Sequence, residues 1–574
     1  MLLVLLWPAV CLFNLTAACL DPGSVPLVST KEGLVRGAVS ASAADRPFCS
    51  FKGIPYARPP VGVLRFRPPQ RHPGWDGEHD GEAHGRVCPQ IDSFGGSKLT
   101  GAEDCLLANV YTPRISLNQT DQTGLPVMVY IHGGGFRMGS GDDTFLGPKY
   151  FMDEDVVLVT FNYRLSAFGF LTTEDHHAPG NSALRDQVLL LQWVQDNIAS
   201  FGGDPQSVTI FGESAGGSSV SILVLSPLSR GLFDRAISQS GSALATWALG
   251  GGQVMSAFSL ARKLNCSVDD VEVMVECLQR QPYEDIVENT RGHEAAFQPR
   301  VDKEAEYPVI PDDPYVLLNS GSFNRVPWMN GITAEEGSVV LPFFSKNTTL
   351  MSELYSGNVT YWQDVAGMMM KGDKNTFDCD ANATEEIVKV RDFYVGNLSD
   401  TNLLPLAQLV SDRRFVSQMS SEVRLASRHT SVYKYILDHT GPGRLKITDL
   451  FTFGTPGPDF GPTHGDDLMY LFSNDKIPLA EVGSEAYTMI RFMTNLWTNF
   501  ARTGRPSSDI LPTPDWPIFT ERSQLHMRLN SQPSLGERLF EGRVNFWKTV
   551  RINEPWRHPV ELSCAVATPL PYGQ

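Results

Sequence analysis

Apolar residues in this chain fall into two spacings, and the change from one to the other marks the elements. From Leu125 the chain reads LPVMVYIHGGGF, a continuous apolar run closed by three glycines, and VVLVTFNYR from Val156 repeats the form. Continuous β-branched runs of this kind predict strands buried on both faces in a mostly parallel sheet. Over 181–200 the spacing lengthens: Leu184, Val188, Leu191, Val194 and Ile198 recur every three or four residues, with Arg185, Gln192, Gln195 and Asp196 between them. That predicts an amphipathic helix. A short strand over 207–211 then leads into Gly212-Glu213-Ser214-Ala215-Gly216 and a small-residue helix start.

The opening 20 residues, MLLVLLWPAVCLFNLTAACL, carry no charged side chain and end in small residues around Ala17 and Ala18. This pattern predicts a cleaved secretory signal over 1–20, although the Lys or Arg usual near Met1 is missing. No other stretch reaches 18 apolar residues, so no integral membrane segment is expected, and the C-terminal PYGQ is not a retention signal. The expected destination is extracellular.

The chain has 574 residues, 42% hydrophobic and 19% charged, which suits a large globular protein; one domain over 21–574 is the expectation. A net charge of −17 argues against nucleic acid and anionic lipid as partners. Asn-x-Ser/Thr acceptors lie at Asn118, Asn265, Asn347, Asn358, Asn382 and Asn397. In a secreted chain, cysteines near one another in sequence are disulfide candidates, here Cys88 with Cys105 and Cys266 with Cys277, though sequence does not fix connectivity. Cys49, Cys379 and Cys564 have no obvious partner, and Cys19 falls at the expected cleavage site.

The G-x-S-x-G pentapeptide stands in strand–turn–helix context, the setting of a nucleophile elbow. Glycines on either side let a serine occupy a tight turn with its hydroxyl above the sheet. A plain Gly-Ser turn would show the same letters, so the pentapeptide alone does not decide.

Further segments do. Gly-Ile-Pro-Tyr-Ala at 53–57, Glu-Asp-Cys-Leu at 103–106, His132-Gly-Gly-Gly-Phe136, Phe161-Asn-Tyr-Arg164 and Phe211-Gly-Glu-Ser-Ala-Gly-Gly217 together resemble the type-B carboxylesterase and cholinesterase family, in the family's order, from about residue 25 to about residue 550. The resemblance implies an α/β-hydrolase fold with a large, mostly parallel sheet flanked by helices. It implies Ser214 as nucleophile and His464, in GPTHGDD at 461–467, as base. In GITAEEGS at 331–338 it implies Glu336 as the orienting acid, with Glu335 the neighbouring alternative. The order Ser, Glu, His is that of α/β-hydrolases. By the same resemblance Gly134, Gly135 and Ala215 supply oxyanion-hole N–H groups, Trp247 and Phe136 line the pocket, and Arg164 and Asp186 form a buried ion pair.

Cholinesterases hold a quaternary ammonium in an aromatic cage that includes a Trp inside the first disulfide loop. Between Cys88 and Cys105 this chain has Phe94 as its one aromatic residue, so an uncharged ester is the expected small-molecule substrate, not acetylcholine. The sequence looks most like arthropod carboxylesterases, including juvenile-hormone-esterase-like members, many of which have Gln where this chain has Glu213. Leu107-Ala108 and Ala183 also depart from common family residues, at packing positions. An inactive adhesion relative and a long-chain lipase are the alternatives. His293-Glu-Ala-Ala-Phe297 lacks the second His of a zinc helix, 373–385 lacks the central Gly of a calcium loop, and no phosphate-binding loop occurs, so no metal or cofactor is expected.

Overall fold

The structure, a computed structural model, describes residues 19, 25–92, 97–115, 124–250, 253–293, 296–341, 382–395, 403–451 and 459–552. Eleven strands form its main sheet: β1 (Ala38–Ala41), β2 (Pro47–Pro55), β3 (Leu107–Thr112), β4 (Leu125–Ile131), β5 (Val157–Phe161), β6 (Gly203–Glu213), β7 (Arg235–Gln239), β8 (Trp328–Thr333), β9 (Val432–Leu437), β10 (Leu525–Leu529) and β11 (Ser534–Glu537). Their spatial order is β1-β2-β3-β5-β4-β6-β7-β8-β9-β10-β11. Neighbours from β5 to β10 pair parallel. The outer pairs are antiparallel.

Alternation along the central strands feeds two cores. Val127, Val129 and Ile131 of β4 face one side with Val157, Val159, Val208 and Ile210, where they meet Leu184, Val188 and Leu191 of helix α1 (Ser182–Asn197). Met128 and Tyr130 face the other side with Leu158, Phe211 and Ile237, under Ile490, Met493, Trp497 and Phe500 of the helix Glu485–Thr503. Successive strand side chains point to opposite faces, so a run covered by helices on both sides must be apolar throughout. The expected helix over 181–200 is therefore α1 plus a tighter turn, Ile198–Phe201, and the expected strand over 207–211 extends to Gly203–Glu213.

The chain leaves β4 toward β5 on one side and returns to β6 on the other. The carboxyl ends of β4 and β6 thus flank a topological switch point, where an open parallel sheet leaves a crevice. Beneath it, Arg164 grips Asp186 through Nε at 2.8 Å and Nη2 at 2.6 Å, both side chains being almost wholly buried. Arg164 also donates to the Arg67 carbonyl at 2.8 Å. This is the expected ion pair, tying the start of α1 to the segment after β5.

Cys88–Cys105 and Cys266–Cys277 are bonded as expected, each closing a short loop worth roughly 3 kcal/mol in chain entropy. A third bridge corrects the sequence reading: Cys49 on β2 does have a partner, Cys19. Cys19 is buried. Asn265 and Asn382 are exposed. Asn118, Asn347, Asn358, Asn397, Phe94, Cys379, Cys564 and the segment 1–18 lie outside the described residues.

Candidate active site

Strand β6 ends at buried Glu213, and helix α2 (Ala215–Leu225) begins two residues later. Ser214 bridges them at φ +58°, ψ −123°, a conformation costing about 1–3 kcal/mol that persists because its surroundings enforce it. Its N–H donates to the Gln239 carbonyl at 2.9 Å, and its own carbonyl receives the Ser218 N–H at 2.9 Å. The turn packs so closely that a Cβ on Gly216 would lie 1.9 Å from the Ile131 carbonyl oxygen.

That oxygen belongs to the end of β4, where the glycine loop starts. His132 is buried and stacked on Tyr163 at 4.2 Å, whose hydroxyl donates to the His132 carbonyl at 2.8 Å. Burial pulls the His132 pKa down to about 4, so this imidazole is neutral. Gly134 (φ +100°) and Gly135 (φ +64°) turn the loop back, with the Arg137 and Met138 N–H groups donating to the Gly134 carbonyl. Among the described residues, the N–H groups of Gly134, Gly135 and Ala215 donate to no protein acceptor. Phe136 is fully buried, edge-on to Phe170 at 5.4 Å, and supports the loop from the core side.

The sheet delivers an acid and a base to the same crevice. Glu336, in the short turn after β8, is fully buried; its Oε2 stands 2.6 Å from His464 Nδ1. Its Oε1 accepts from Thr333 N–H at 2.8 Å and from Ser240 Oγ at 2.5 Å, so the carboxylate has three fixed donors. Glu335 points elsewhere, near Gln408, Arg543 and Asp412, and burial pushes its pKa up to about 7. The loop carrying His464 is held by Asp466, which accepts from Thr463 N–H at 3.0 Å, Ile447 N–H at 2.8 Å and Arg444 Nη2 at 3.0 Å.

No hydrogen bond joins Ser214 Oγ to His464 among the described residues. The imidazole Nε2 lies 3.1 Å from Glu213 Oε1 instead, but without hydrogen-bond alignment, and that oxygen has no hydrogen-bond partner. Burial opposes protonation of His464, yet Glu213, Glu336 and Asp467 together overcome it and raise the imidazole pKa. Burial raises the Glu213 carboxyl, as do Asp467 and Glu336, against the opposing pull of His464.

One wall of the crevice comes from remote segments. Phe415 sits 4.6 Å from the His464 ring and 5.8 Å from Trp247, and the Trp247 indole N–H donates to the Arg414 carbonyl at 2.9 Å. Phe415 and Arg414 belong to a single π-helical turn, Asp412–Val416, between the helices Leu404–Ser411 and Ser417–Ala426. Such turns often mark functional sites. Its first residue is anchored: Tyr394 hydroxyl donates to Asp412 Oδ2 at 2.6 Å, Trp547 Nε1 donates to that hydroxyl at 2.7 Å, and Arg543 Nε lies 3.2 Å from the same Asp412 oxygen.

Sequence reasoning named Ser214, Glu336, His464, the glycine loop and Trp247, but not Ser240, Arg444, Asp466 or Phe415 as contributors. Ser240 lies just ahead of the segment that led to Trp247; the other three carry no local signature. Among the described residues no cluster of His, Cys, Asp and Glu is arranged to hold a metal ion.

The model of the carboxylesterase family matches residues 24–547. Juvenile hormone esterase of Tribolium castaneum is 37% identical over 85% of this chain and 85% of its own. A carboxylic ester hydrolase of Bombus ignitus is 35% identical, and venom carboxylesterase-6 of Apis mellifera 33%, each over 92% of this chain and 95% of its own. A strained serine at the switch point, a neighbouring glycine loop with unpaired N–H groups and a buried Glu–His contact agree with these matches. The chain thus belongs to the carboxylesterase family, as a carboxylic ester hydrolase with the α/β-hydrolase fold.

Proposed function

We propose that this hydrolase is a secreted serine carboxylesterase whose chemistry is carried by Ser214, His464 and Glu336. The observation that supports this best is the 2.6 Å Glu336–His464 contact beside a serine held in the strained elbow. A serine hydroxyl needs a base to take its proton. His464 Nε2 leaves the neighbourhood of Glu213 for the Ser214 hydroxyl and takes that proton as Oγ bonds to the ester carbonyl carbon. The carbonyl electron pair moves onto oxygen, and the N–H groups of Gly134, Gly135 and Ala215 receive the new charge; one such donor is typically worth about 10²–10³ in rate. His464 then returns the proton to the leaving alkoxide as the C–O bond breaks. Water, deprotonated by the same imidazole, clears the acyl group from Ser214. Throughout, Glu336 fixes the tautomer and stabilises the imidazolium without taking its proton.

Trp247 and Phe415 narrow the acyl side, which favours a small acyl group. Esters without a quaternary ammonium are the substrates, with juvenile-hormone or sesquiterpenoid methyl esters and xenobiotic esters as the candidates; similarity to a juvenile hormone esterase supports the former. Secretion is supported by the apolar leader, the disulfides and the likeness to a venom carboxylesterase. No helix among the described residues is long and apolar enough to cross a membrane. Leader cleavage falls before Cys19, at Ala17 or Ala18, because the Cys19–Cys49 bridge needs that residue.

The test is hydrolysis of short- and long-chain p-nitrophenyl esters by the secreted protein, beside Ser214→Ala. Fast short-chain turnover that disappears in the variant is the expected result. Turnover that survives in Ser214→Ala would refute the assignment, a preference for long chains would favour a lipase, and an inert folded protein would favour an adhesion role.

A further inference from the structure

The far end of the glycine loop is gripped by a side chain from another part of the molecule. Buried Gln90 opens the short strand Gln90–Asp92, inside the loop that Cys88–Cys105 closes. Its amide meets the Gly139 backbone twice: the Gly139 N–H donates to Gln90 Oε1 at 2.8 Å, and Gln90 Nε2 donates to the Gly139 carbonyl at 3.0 Å. Nε2 also donates to the Cys88 carbonyl at 3.0 Å. Both sides of the amide are therefore engaged, and the side chain cannot swing away without stranding buried polar groups. Its base is fixed as well, because Cys88 is held by its disulfide and Pro89 restricts the backbone between them.

Gly139 folds the loop back on its own start. At φ +113°, a Cβ there would lie 2.4 Å from His132 Nδ1 and 2.7 Å from the Gly133 carbonyl oxygen. One residue earlier, the Met138 carbonyl oxygen lies 2.1 Å from where a Cβ on Gly134 would stand. Backbone packed this closely passes a shift of Gly139 on to Gly134 instead of absorbing it.

We propose that Gln90 is a positioning residue for the oxyanion: by clamping Gly139 it holds the Gly134 and Gly135 N–H groups where the carbonyl charge develops. This rests on the reading of Ser214 as nucleophile and of the glycine loop as oxyanion hole. Donors fixed before the charge appears stabilise the transition state more than the bound ester. Acylation and deacylation pass through the same oxyanion, so loosening the clamp slows both steps and leaves KM nearly unchanged.

The test compares wild type with Gln90→Met, which keeps the side-chain volume and removes the hydrogen bonds. The readouts are kcat and KM for p-nitrophenyl butyrate, and the inhibition constant of a trifluoromethyl ketone of matching chain length. In the ketone complex Ser214 Oγ bonds to the carbonyl carbon, its proton passes to His464, and the carbonyl electron pair becomes an oxyanion in the same hole. Gln90→Met should lower kcat about 10²-fold with KM within about threefold of wild type, and weaken the ketone by a factor similar to that in kcat. An unchanged kcat in folded protein, even at a lower melting temperature, would overturn the clamp. So would a change confined to KM, or a lower kcat with undiminished ketone affinity. If Gln90→Met does not fold, Gln90→Asn, too short to reach both Gly139 groups, is judged by the same readouts. Turnover that persists in Ser214→Ala would overturn the nucleophile reading and the clamp together, whereas the Gln90 outcomes bear on the clamp alone.

Discussion

The two sides of the crevice are built in different ways. On the elbow side, Ser214, the glycine loop and Ala215 are placed by backbone at the ends of adjacent parallel strands, with so little room that a single Cβ on Gly216 would collide with Ile131. On the other side, proposed to face the acyl group, Trp247, Phe415 and Arg414 come from segments far apart in the chain, joined by side-chain hydrogen bonds that reach the helix Glu541–Trp547 through Asp412, Tyr394 and Trp547. Under the proposed mechanism the first side serves any ester alike, because the developing oxyanion is the same. The second can be repacked to suit another acyl group, because its anchors are side chains.

The largest test of that contrast lies on the invariant side. Glu336→Gln should reduce kcat by about 10⁴ in a folded protein, whereas Glu335→Gln, one residue away, should cost less than about tenfold; activity and circular dichroism measured on both would reveal a reversed order. Below the elbow, Arg164→Met leaves the buried Asp186 unpaired and should cost about 3–5 kcal/mol in urea unfolding. A loss under about 1 kcal/mol would show that the pair is not structural.

These two regions also show what could be read before any coordinates. The elbow, the glycine loop and the helix after β5 were legible because clash, φ and periodicity act over a few residues. The Glu336–His464 contact was foreseeable only by resemblance, since nothing local distinguishes His464 from an ordinary loop histidine. The π-helical turn leaves no mark on the helical spacing, and Arg444, Asp466 and Phe415 acquire their roles from contacts made only on folding. Cys49 had no evident partner because Cys19 fell inside the stretch expected to be a leader.

On the acyl side, effects should be smaller and fall on selectivity. Trp247→Ala should raise kcat/KM for long acyl chains relative to short ones by about tenfold. An unchanged chain-length profile would remove Trp247 from the wall. Tyr394→Phe, which deprives Asp412 of a donor and Trp547 of an acceptor, should cost about 1–2 kcal/mol and loosen the same selectivity. Turnover of a matched acyl series would show it.

Between the two sides stands Glu213. His464 acts as a base only when neutral, so the carboxylates that raise its pKa place the acid limb of kcat/KM above the ordinary histidine value of about 6.5. Glu213→Gln removes a negative charge that favours the imidazolium. The limb should therefore move to lower pH, and a move to higher pH would contradict the assignment.

The central claim is that Ser214 is the nucleophile, and the direct measurement is the site of covalent capture by an organophosphate, read by peptide mass spectrometry on the secreted protein. The account predicts one phosphorylated residue, Ser214, with activity lost in proportion. Labelling at another serine, or full inhibition with Ser214 unmodified, would contradict it.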